Sequence, residues 1–407
     1  MLFWHIWAGA AGDAIQQLVD EFNAANEWGI AVQPAYQGNL DQMNASFEAA
    51  QDSEEIPDIL VGYNYQAWRW DGLRDLVDLA PYLADPTWGF SSQERESFYA
   101  GFWEQDAGRK IRLGVPAQRS AQVLYYNTTW ARQLGFAAPP DTAEQFKEQA
   151  CAAAQANRLD DDRANDHTGG YIISTSYSAM LGWIEAFGGD ITRQDGQGYR
   201  FDTPQVEAAF TFLRELYDGG CAWLVESEPP EMEFAGRLGL FAAGSVANLT
   251  HQAKAFELAE NRDRWTVIAF PSPANQPAAS AVASYGPSFS LVSTTPEKQL
   301  AGWLFVRWLL QPQNQARFVA AAGSYPLSAA ALDYLDEYHA GQPQWADSLE
   351  LLPFARPEPE LPSWSLVRWA VFDATTQLFR FYFSLDQVPN LVELLDQTAA
   401  DLHSGLP

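Results

Sequence analysis

The pattern of apolar positions is clearest at the start of the chain. A short apolar and aromatic run from residue 2 is followed by a turn of small residues at 9–12. The apolar residues that come next are spaced for one face of a helix: Ile15, Leu18, Val19 and Phe22. Residues 2–26 are therefore predicted to form a strand, a tight turn and a helix. Such a turn lies at the carboxyl end of its strand, where open α/β sheets bind ligands. Of the aromatic residues beside this turn, we expect Trp7 to reach a ligand and Trp4 and His5 to lie beneath the surface.

The same alternation of short apolar runs and helical patterns continues along the chain. A second strand is predicted at 30–36, a helix at 40–51 and a third strand at 56–61. This β-α-β-α-β order predicts a parallel sheet with right-handed crossovers. Further strands are predicted at 109–116, 122–127, 170–174, 265–270 and 284–292, and further helices at 142–157, 178–187, from 204, at 296–310 and at 312–322.

Length and charge limit the class of protein. A chain of 407 residues is too long for one ordinary core, so we expect two or three domains. The 52 acidic and 24 basic residues give a net charge of −28, which repels nucleic-acid phosphates and anionic membranes. The sequence therefore argues against a nucleic-acid partner.

The two cysteines, Cys151 and Cys221, bear on the compartment. An isolated pair is too small for a zinc site, and a separation of 70 residues excludes a CxxC redox motif. A disulfide between them is predicted in preference to two buried thiols, which would place the protein outside the cytoplasm. The sequence shows no signal peptide ahead of the first strand, so either the protein is cytosolic or its leader is absent from this chain.

Candidate chemistry is dominated by aromatic residues. The sequence has no GxSxG, P-loop, HExxH or GxGxxG motif, and its five histidines lack metal-ligand spacing, so we predict neither an enzyme nor a cofactor or metal. It has 16 Trp, 16 Tyr and 24 Phe. Because Trp and Tyr combine a flat apolar face with a hydrogen-bonding tip, they suit a sugar ligand. Tyr63, Tyr65, Trp68 and Trp183, in or next to predicted loops, are candidates for such contacts.

Several segments, in order and spacing, resemble extracellular solute-binding protein family 1, the substrate receptors of ABC importers for carbohydrates and glycerol phosphates. The segments are FWHIWAGAAGDAIQQLVDEFNAAN, YQGN, PDIL, VPAQRSAQVLYYN, PDTAEQF, FAAGSVANL, YGPSFSLV and WLFVRWLLQPQNQARFVAAAGSYPLS. The similarity extends from Leu2 to about Leu327 and is weaker beyond.

The resemblance implies a two-lobed, periplasmic-binding-protein-like α/β fold. Each lobe would be a mostly parallel sheet flanked by helices, joined by hinge strands and closing on a ligand in the cleft. We predict an N-terminal lobe of 1–114 plus 270–317 and a C-terminal lobe of 115–269 plus 318–407. The predicted crossings lie near 114–116, 265–273 and 317–323.

The resemblance also implies functional positions. Arg119 or Ser120, the Gly244-Ser245 turn, Gly286 and Tyr325 look like cleft residues of the family's glycerol-phosphate-binding members. One departure is that Ser365 aligns with an arginine of those members and follows Trp364. This exchange favours a neutral sugar over a phosphate, unless Arg356 or Arg368 supplies the charge.

The predicted function is an extracellular receptor that captures a mono- or oligosaccharide and delivers it to the transmembrane subunits of an ABC permease. Predicted ligand-stacking residues are Trp7, Tyr63, Tyr65, Trp183, Tyr285 and Trp364, and predicted hydrogen-bonding residues are Gln37, Asn39, Arg119, Ser120, Ser245, His251 and Tyr325. Gly286 would allow close backbone approach, the alternative being an ordinary strand glycine. We expect a monomer, extracellular or periplasmic, tethered as a lipoprotein whose signal segment is absent from this chain. The alternatives are a glycerol-phosphate receptor, a secreted glycoside hydrolase or lyase, and an adhesive surface protein.

Overall fold

The computed structural model describes residues 1–51, 56–107, 111–225, 229–276 and 280–405. Its strands are β1 (Leu2–His5), β2 (Gln33–Tyr36), β3 (Ile59–Gly62), β4 (Val115–Pro116), β5 (Ser120–Tyr126), β6 (Gly169–Ile173), β7 (Ala222–Leu224), β8 (Gly239–Ser245), β9 (Thr266–Ile268), β10 (Val282–Tyr285), β11 (Ser288–Leu291) and β12 (Ala355–Pro357). Residues 109–110 of the strand predicted at 109–116 lie outside the described residues.

The α-helices alternate with these strands over most of the chain. They are α1 (Gly9–Ala25), α2 (Leu40–Ala49), α3 (Asn64–Leu73), α4 (Ala80–Ala84), α5 (Ser92–Ser97), α6 (Ala100–Glu104), α7 (Thr128–Gln133), α8 (Ala143–Leu159), α9 (Tyr177–Ala186), α10 (Pro204–Asp218), α11 (Glu231–Ala235), α12 (Leu249–Leu258), α13 (Pro296–Leu309), α14 (Pro312–Ala322), α15 (Asp336–Gly341), α16 (Pro343–Leu349), α17 (Trp364–Leu378) and α18 (Val388–Ser404). Of the helices in the described ranges, none combines the length and apolar character needed to cross a bilayer.

The chain forms two compact units. Unit 1 comprises Met1–Ser120, Tyr285–Gly341 and Pro359–Pro362, and unit 2 comprises Ala121–Ser284, Gln342–Glu358 and Ser363–Pro407. This division differs from the predicted lobe ranges, chiefly because 318–341 belongs to unit 1. The reason is that α14 packs along α1, where Arg317 forms an ion pair with Glu21 at 2.6 Å.

Unit 1 is built on a mixed sheet with the strand order β2-β1-β3-β11-β4. The predicted parallel arrangement of the first three strands is confirmed, because β1 pairs in parallel with both β2 and β3. Strand β11 adds antiparallel pairs with β3 and β4. The predicted apolar face of α1 is buried on this sheet with Trp303 and Phe305 of α13.

Unit 2 is built on a second mixed sheet, with the order β12-β10-β5-β8-β6-β7 and with β9 paired to β5. Strand β6 pairs in parallel with β7 and β8, whereas β5 pairs antiparallel with β8 and β9. The single strand predicted at 284–292 is in fact two, because the chain bends at Gly286-Pro287.

The predicted disulfide is confirmed. Cys151 in α8 is bonded to Cys221, which follows α10, with an S–S distance of 1.95 Å. The bond joins the helix that precedes β6 to the start of β7, so it secures one edge of the unit 2 sheet.

Candidate functional site

The carboxyl end of β1 in unit 1 leads to Trp7, which the sequence singled out. Its indole Nε1 donates to Oε1 of Gln118 at 2.7 Å, and its ring packs edge-on against Phe318 with centroids 4.8 Å apart. Only 6% of the residue is exposed. The structure thus places Trp7 in the core of unit 1, whereas the sequence predicted a ligand-facing wall. Trp4 and His5 are buried as expected.

The ring of His5 is enclosed by other rings. Its centroid lies 5.8 Å from that of Trp7, nearly parallel to it, and 5.5 Å from that of Phe3. Burial lowers the pKa of His5 from 6.5 to about 4, and a hydrogen bond with the backbone of Trp7 opposes this only in part. His5 is therefore neutral at physiological pH and fills the core.

The turn after β2 carries Gln37 and Asn39, two predicted hydrogen-bonding residues. Oδ1 of Asn39 accepts from the backbone N–H of Gln42 at 2.9 Å, and Oε1 of Gln42 accepts from the backbone N–H of Asn39. This reciprocal pair is a capping box that starts α2. The Asn39 side-chain oxygen is thus engaged in the helix cap, while Gln37 is half-buried beside it.

Tyr63 and Tyr65 lie where β3 passes into α3. Their rings are 5.5 Å apart, Tyr65 is buried and Tyr63 is half-buried. The backbone N–H of Tyr63 donates to Oε1 of Gln66, which begins α3. These two rings lie at the carboxyl end of a central strand, and their role in ligand binding stays a prediction.

Arg119 is completely buried and bonds to protein groups of unit 1. Its Nη2 donates to Oδ2 of Asp106 at 2.6 Å, and its Nη1 donates to the backbone oxygens of Gly286 and Pro287 at 3.0 and 2.7 Å. Ser288 donates its hydroxyl to the other oxygen of Asp106. The guanidinium thus ties three chain segments together, whereas the sequence predicted a bond to the ligand, and that ligand contact stays a prediction.

Gly286 has φ +149°, a left-handed backbone that favours glycine. A Cβ at this position would lie 2.1 Å from the backbone oxygen of Gln118. The close backbone approach predicted at Gly286 is therefore to another segment of this chain. Its neighbours Tyr285, half-buried at the end of β10, and Ser120, buried at the start of β5, keep their predicted roles as predictions only.

Tyr325 lies with Arg119 in unit 1. Its backbone N–H donates to the Arg119 carbonyl at 2.8 Å, its ring lies 5.8 Å from that of Phe102, and none of the residue is exposed. Its ligand contact stays a prediction.

Trp183 on α9 belongs to the core of unit 2. Its ring centroid lies 5.1, 5.2 and 5.3 Å from those of Phe146, Phe270 and Phe212, and 1% of the residue is exposed. Its Nε1 donates to the Tyr171 hydroxyl at 3.2 Å. The structure thus places Trp183 in the core of unit 2, whereas the sequence predicted a ring that stacks on a ligand, and that ligand contact stays a prediction.

Two other predicted contacts in unit 2 lie at the end of β8. Oγ of Ser245 accepts from the backbone N–H of Ala247 at 3.1 Å. This hydrogen bond caps the helical turn that follows the strand. His251 is exposed on α12. Both roles in binding stay predictions.

Aromatic rings and one cation meet where β6 ends and α17 begins. We term Tyr177, Trp364, Arg368 and Trp369 the aromatic cluster. Tyr177 is the first residue of α9, four residues beyond the carboxyl end of β6. Its ring lies edge-on to Trp364 and Trp369, with centroids 6.1 and 6.4 Å away. The cluster thus sits at a strand end, where α/β sheets commonly bind ligands.

Arg368 joins the rings of the aromatic cluster. Its Cζ lies 5.5 Å from the centroid of Tyr177 and 5.4 Å from that of Trp369, which are cation–π distances. Trp364 is fully buried, Tyr177 is half-buried and Trp369 is 48% exposed. The buried members therefore support two rings that are open to solvent.

Glu358 lies beneath the aromatic cluster. Its Oε2 accepts from Nε1 of Trp364 at 3.1 Å, while its Oε1 has no hydrogen-bond partner among the described residues. Burial raises the pKa of Glu358 to about 7, although the Trp364 hydrogen bond and the charge of Arg368 lower it. Near neutral pH this carboxyl changes its charge.

Glu185, on α9, is a second buried carboxyl of unit 2. Burial raises its pKa well above the usual value, Arg356 lowers it, and Glu358 and Asp190 raise it further. Within the described ranges its Oε2 also lacks a partner. Two buried carboxyls thus influence each other near the aromatic cluster, while no group of His, Cys, Asp and Glu in the described part of the chain could hold a metal.

The sequence predicts Trp364 as a ligand-stacking residue and Arg368 as a possible cation, but Trp364 is fully buried and its ligand contact stays a prediction. Tyr177, Trp369 and Glu358 are not predicted from the sequence. Tyr177 carries a readable signal, since it follows Ser176, whose hydroxyl caps α9 shortly after an apolar strand. Trp369 and Glu358 carry no such signal, because only the packing of α17 places them near Tyr177.

A family model described as bacterial extracellular solute-binding protein matches residues 17–348. This chain belongs to that family. The match includes most elements of both compact units but ends before α17.

Curated relatives agree with this assignment. The sn-glycerol-3-phosphate-binding periplasmic protein UgpB of Salmonella typhimurium is 24% identical over 353 residues, which are 82% of this chain and 76% of the relative. UgpB of Escherichia coli strain K12 is 24% identical over 343 residues, with the same coverage.

Solved structures share the fold over nearly the whole chain. The cyclic α-maltosyl-1,6-maltose binding protein of Arthrobacter globiformis is 18% identical with a TM-score of 0.82, covering 100% of this chain and 99% of the other. UgpB of Mycobacterium tuberculosis, in complex with glycerophosphocholine, is 18% identical with a TM-score of 0.77 and covers 98% of both chains. MalE of Xanthomonas citri is 18% identical with a TM-score of 0.82, covering 99% and 97%. The predicted two-lobed α/β solute-binding fold is confirmed.

Proposed function

We propose that this protein is the extracellular receptor of an ABC importer and that it binds a neutral mono- or oligosaccharide. The ligand would lie on the aromatic cluster of unit 2, with Tyr177 and Trp369 as the stacking rings. The receptor would act as a monomer, need no cofactor and deliver its ligand to the transmembrane subunits of a permease.

The observation that carries this proposal is the pairing of exposed and buried rings in the aromatic cluster. The exposed face of Trp369 and the half-buried ring of Tyr177 offer flat apolar surface to the C–H faces of a sugar. Nη1 of Arg368 donates to the Tyr177 hydroxyl at 3.5 Å, and these two polar groups of the cluster can also hydrogen-bond sugar hydroxyls. Family membership supports a solute as the ligand.

A glycerol phosphate, either the monoester or a phosphodiester, is the second candidate. The curated relatives are named for sn-glycerol 3-phosphate, and Arg368 is a cation within the aromatic cluster. Two features argue against a phosphate. The Arg368 guanidinium already makes cation–π contacts with two aromatic rings, and the carboxyl of Glu358 is a neighbouring acidic group. We therefore place the neutral sugar first.

Isothermal titration calorimetry with maltose, maltotriose and glycerophosphocholine tests the proposal. We expect saturable binding of at least one sugar and weaker or no binding of glycerophosphocholine. Preferred binding of glycerophosphocholine would reverse the order of the two candidates, and the absence of binding by any carbohydrate in a wider panel would overturn the sugar proposal.

Substitution of Trp369 by Ala locates the site. Loss of a stacking ring is expected to weaken sugar binding about tenfold or more. The matched control is Trp28→Ala, since Trp28 is 46% exposed in unit 1 and Trp369 is 48% exposed in unit 2. Equal effects of the two substitutions would contradict a site on the aromatic cluster.

The alternative that this protein is an enzyme is best tested as a glycoside hydrolase. Such enzymes use a carboxylic acid with a raised pKa, and Glu358 and Glu185 both have raised pKa values. Incubation with a panel of glycosides is expected to leave them intact. Turnover of any of them at a useful rate would contradict the receptor proposal.

A further inference from the structure

We propose that Glu358 is a positioning residue of the solute site, which holds the Trp364 indole under Tyr177 and thereby couples solute affinity to pH. The inference rests on the proposed function and adds a residue and a condition to it. Glu358 does not itself contact the solute in this proposal.

The geometry links Glu358 to the stacking surface through one intermediate. Oε2 of Glu358 accepts from Nε1 of Trp364 at 3.1 Å, and the ring of Trp364 meets that of Tyr177 edge-on at 6.1 Å. Trp364 is the first residue of α17 and is fully buried. The orientation of its indole therefore fixes the surface on which the Tyr177 ring rests.

The backbone of Glu358 is fixed as well. Its N–H donates to the carbonyl of Ser284 at 3.1 Å, and the Ser284 hydroxyl donates to the carbonyl of Arg356 at 3.0 Å. These bonds extend the parallel pairing of β10 and β12. The carboxyl thus projects from a strand end whose backbone is hydrogen-bonded to β10, and these bonds position it against Trp364.

The charged groups around this carboxyl come from three elements. Arg368 on α17 favours the ionised form of Glu358, and Glu185 on α9 disfavours it. Arg356 on β12 lowers the pKa of Glu185. Because Oε1 of Glu358 lacks a partner among the described residues, the carboxyl has no second hydrogen bond to fix its charge. The burial of Glu358 and these opposing neighbours place its titration near neutral pH.

Ionisation of Glu358 strengthens the bond to Trp364, because an N–H donates more strongly to a carboxylate than to a neutral carboxyl. Below neutral pH the indole is held less firmly, and so is the Tyr177 ring that packs on it. We expect solute affinity to be about fivefold higher at about pH 8 than at about pH 6.

The experiment combines a ligand-free and a ligand-binding measurement. The indole N–H resonance of Trp364, identified by its loss in Trp364→Phe, is followed with pH in ¹H–¹⁵N spectra of the whole chain. The dissociation constant for maltotriose, or for whichever sugar binds, is measured over the same pH range. Both are expected to titrate with a midpoint near 7.

Glu358→Gln retains a hydrogen-bond acceptor but removes the charge, so it should fold, bind solute and show a flat pH profile. Trp364→Phe removes the N–H donor and should also flatten the profile, which keeps the test available if Glu358→Gln is unstable. Trp183→Phe is the matched control, because Trp183 is buried in unit 2 and donates to the Tyr171 hydroxyl at 3.2 Å. Its pH profile should remain that of the wild type.

The outcomes separate the inference from the proposed function. A pH-dependent Trp364 resonance with a pH-independent dissociation constant would overturn the positioning role alone. Retention of the wild-type pH profile in Glu358→Gln would do the same. Absence of carbohydrate binding at every pH, with the Trp364 titration intact, would overturn the proposed function and the inference that rests on it.

Discussion

The guanidinium of Arg119 and the carboxylate of Asp106 form an ion pair at 2.6 Å with 0% and 1% of their side chains exposed. Arg119 also donates to the backbone oxygens of Gly286 and Pro287. Removal of one partner would leave a buried charge without compensation. Asp106→Asn is therefore expected to lower the free energy of unfolding by about 3–5 kcal/mol, measured by urea denaturation.

The control for this pair is Arg317→Ala. Arg317 and Glu21 also lie 2.6 Å apart in unit 1, but their side chains are 40% and 53% exposed. Because water screens an exposed pair, the expected loss is below about 1 kcal/mol. Similar losses for the two variants would contradict a structural role for the buried pair.

Gly286→Ala tests the close approach of two backbone segments. The new Cβ would lie 2.1 Å from the Gln118 oxygen at φ +149°, so the backbone must shift. We expect the free energy of unfolding to fall by about 3 kcal/mol or more. Gly72→Ala in α3 is the control, since its Cβ meets nothing within 4 Å and alanine favours a helix by about 1 kcal/mol. Thermal unfolding of both variants measures the difference, and a tolerated Gly286→Ala would refute the steric argument.

Much of the fold could be predicted because local patterns determine it. The apolar spacing of α1 and the order of the first three strands give the parallel part of the unit 1 sheet. The apolar pattern at 284–292 does not show the break at Gly286-Pro287, although a Gly-Pro pair is typical of a turn. The break depends on Arg119 and Gln118, which are distant in sequence.

The candidate site was harder to predict than the fold. An aromatic residue next to a predicted loop can turn either to solvent or to the core, and the sequence does not distinguish the two. Trp183 and Trp7 turn to the core because neighbouring rings and a hydrogen-bond acceptor enclose them. Trp369 stays 48% exposed although its ring contacts Arg368, Tyr177 and Phe372.

The disulfide should contribute to the stability of unit 2. Cys151 and Cys221 close a loop with a sequence separation of 70. Cys151→Ser with Cys221→Ser is expected to lower the free energy of unfolding by about 2–5 kcal/mol. Urea unfolding of the double variant measures this loss. Without reductant, wild-type protein should show no thiol that reacts with an alkylating agent, and two alkylated thiols would contradict the disulfide.

His5 should make the protein less stable in acid. Its pKa is lowered from 6.5 to about 4, so the folded state resists protonation that the unfolded state accepts. The stabilising contribution is complete above 6.5 and is lost as pH falls towards 4. We expect the free energy of unfolding to fall by about 2 kcal/mol over this pH range, allowing for partial solvent access to the ring. Urea unfolding across this pH range measures the effect. His5→Phe should show no such fall in stability, whereas the control His251→Gln, at an exposed histidine, should show the same fall as the wild type.

Glu358 should have the opposite effect on stability. Its pKa is raised from 4.5 to about 7, so the folded state keeps a proton that the unfolded state has released. The stabilising contribution is complete below 4.5 and is lost as pH rises through 7. A carboxyl shifted this far corresponds to about 3 kcal/mol.

Glu358→Gln removes that titration. When the pH is raised from about 4 to about 8, the wild type should therefore lose about 3 kcal/mol of unfolding free energy relative to the variant. Urea unfolding of both proteins at these two pH values measures it, with Glu148→Gln, a change on the exposed face of α8 in unit 2, as the control. A constant difference across the range would show that Glu358 is already ionised in acid, and would remove the basis for a neutral carboxyl beneath Trp364.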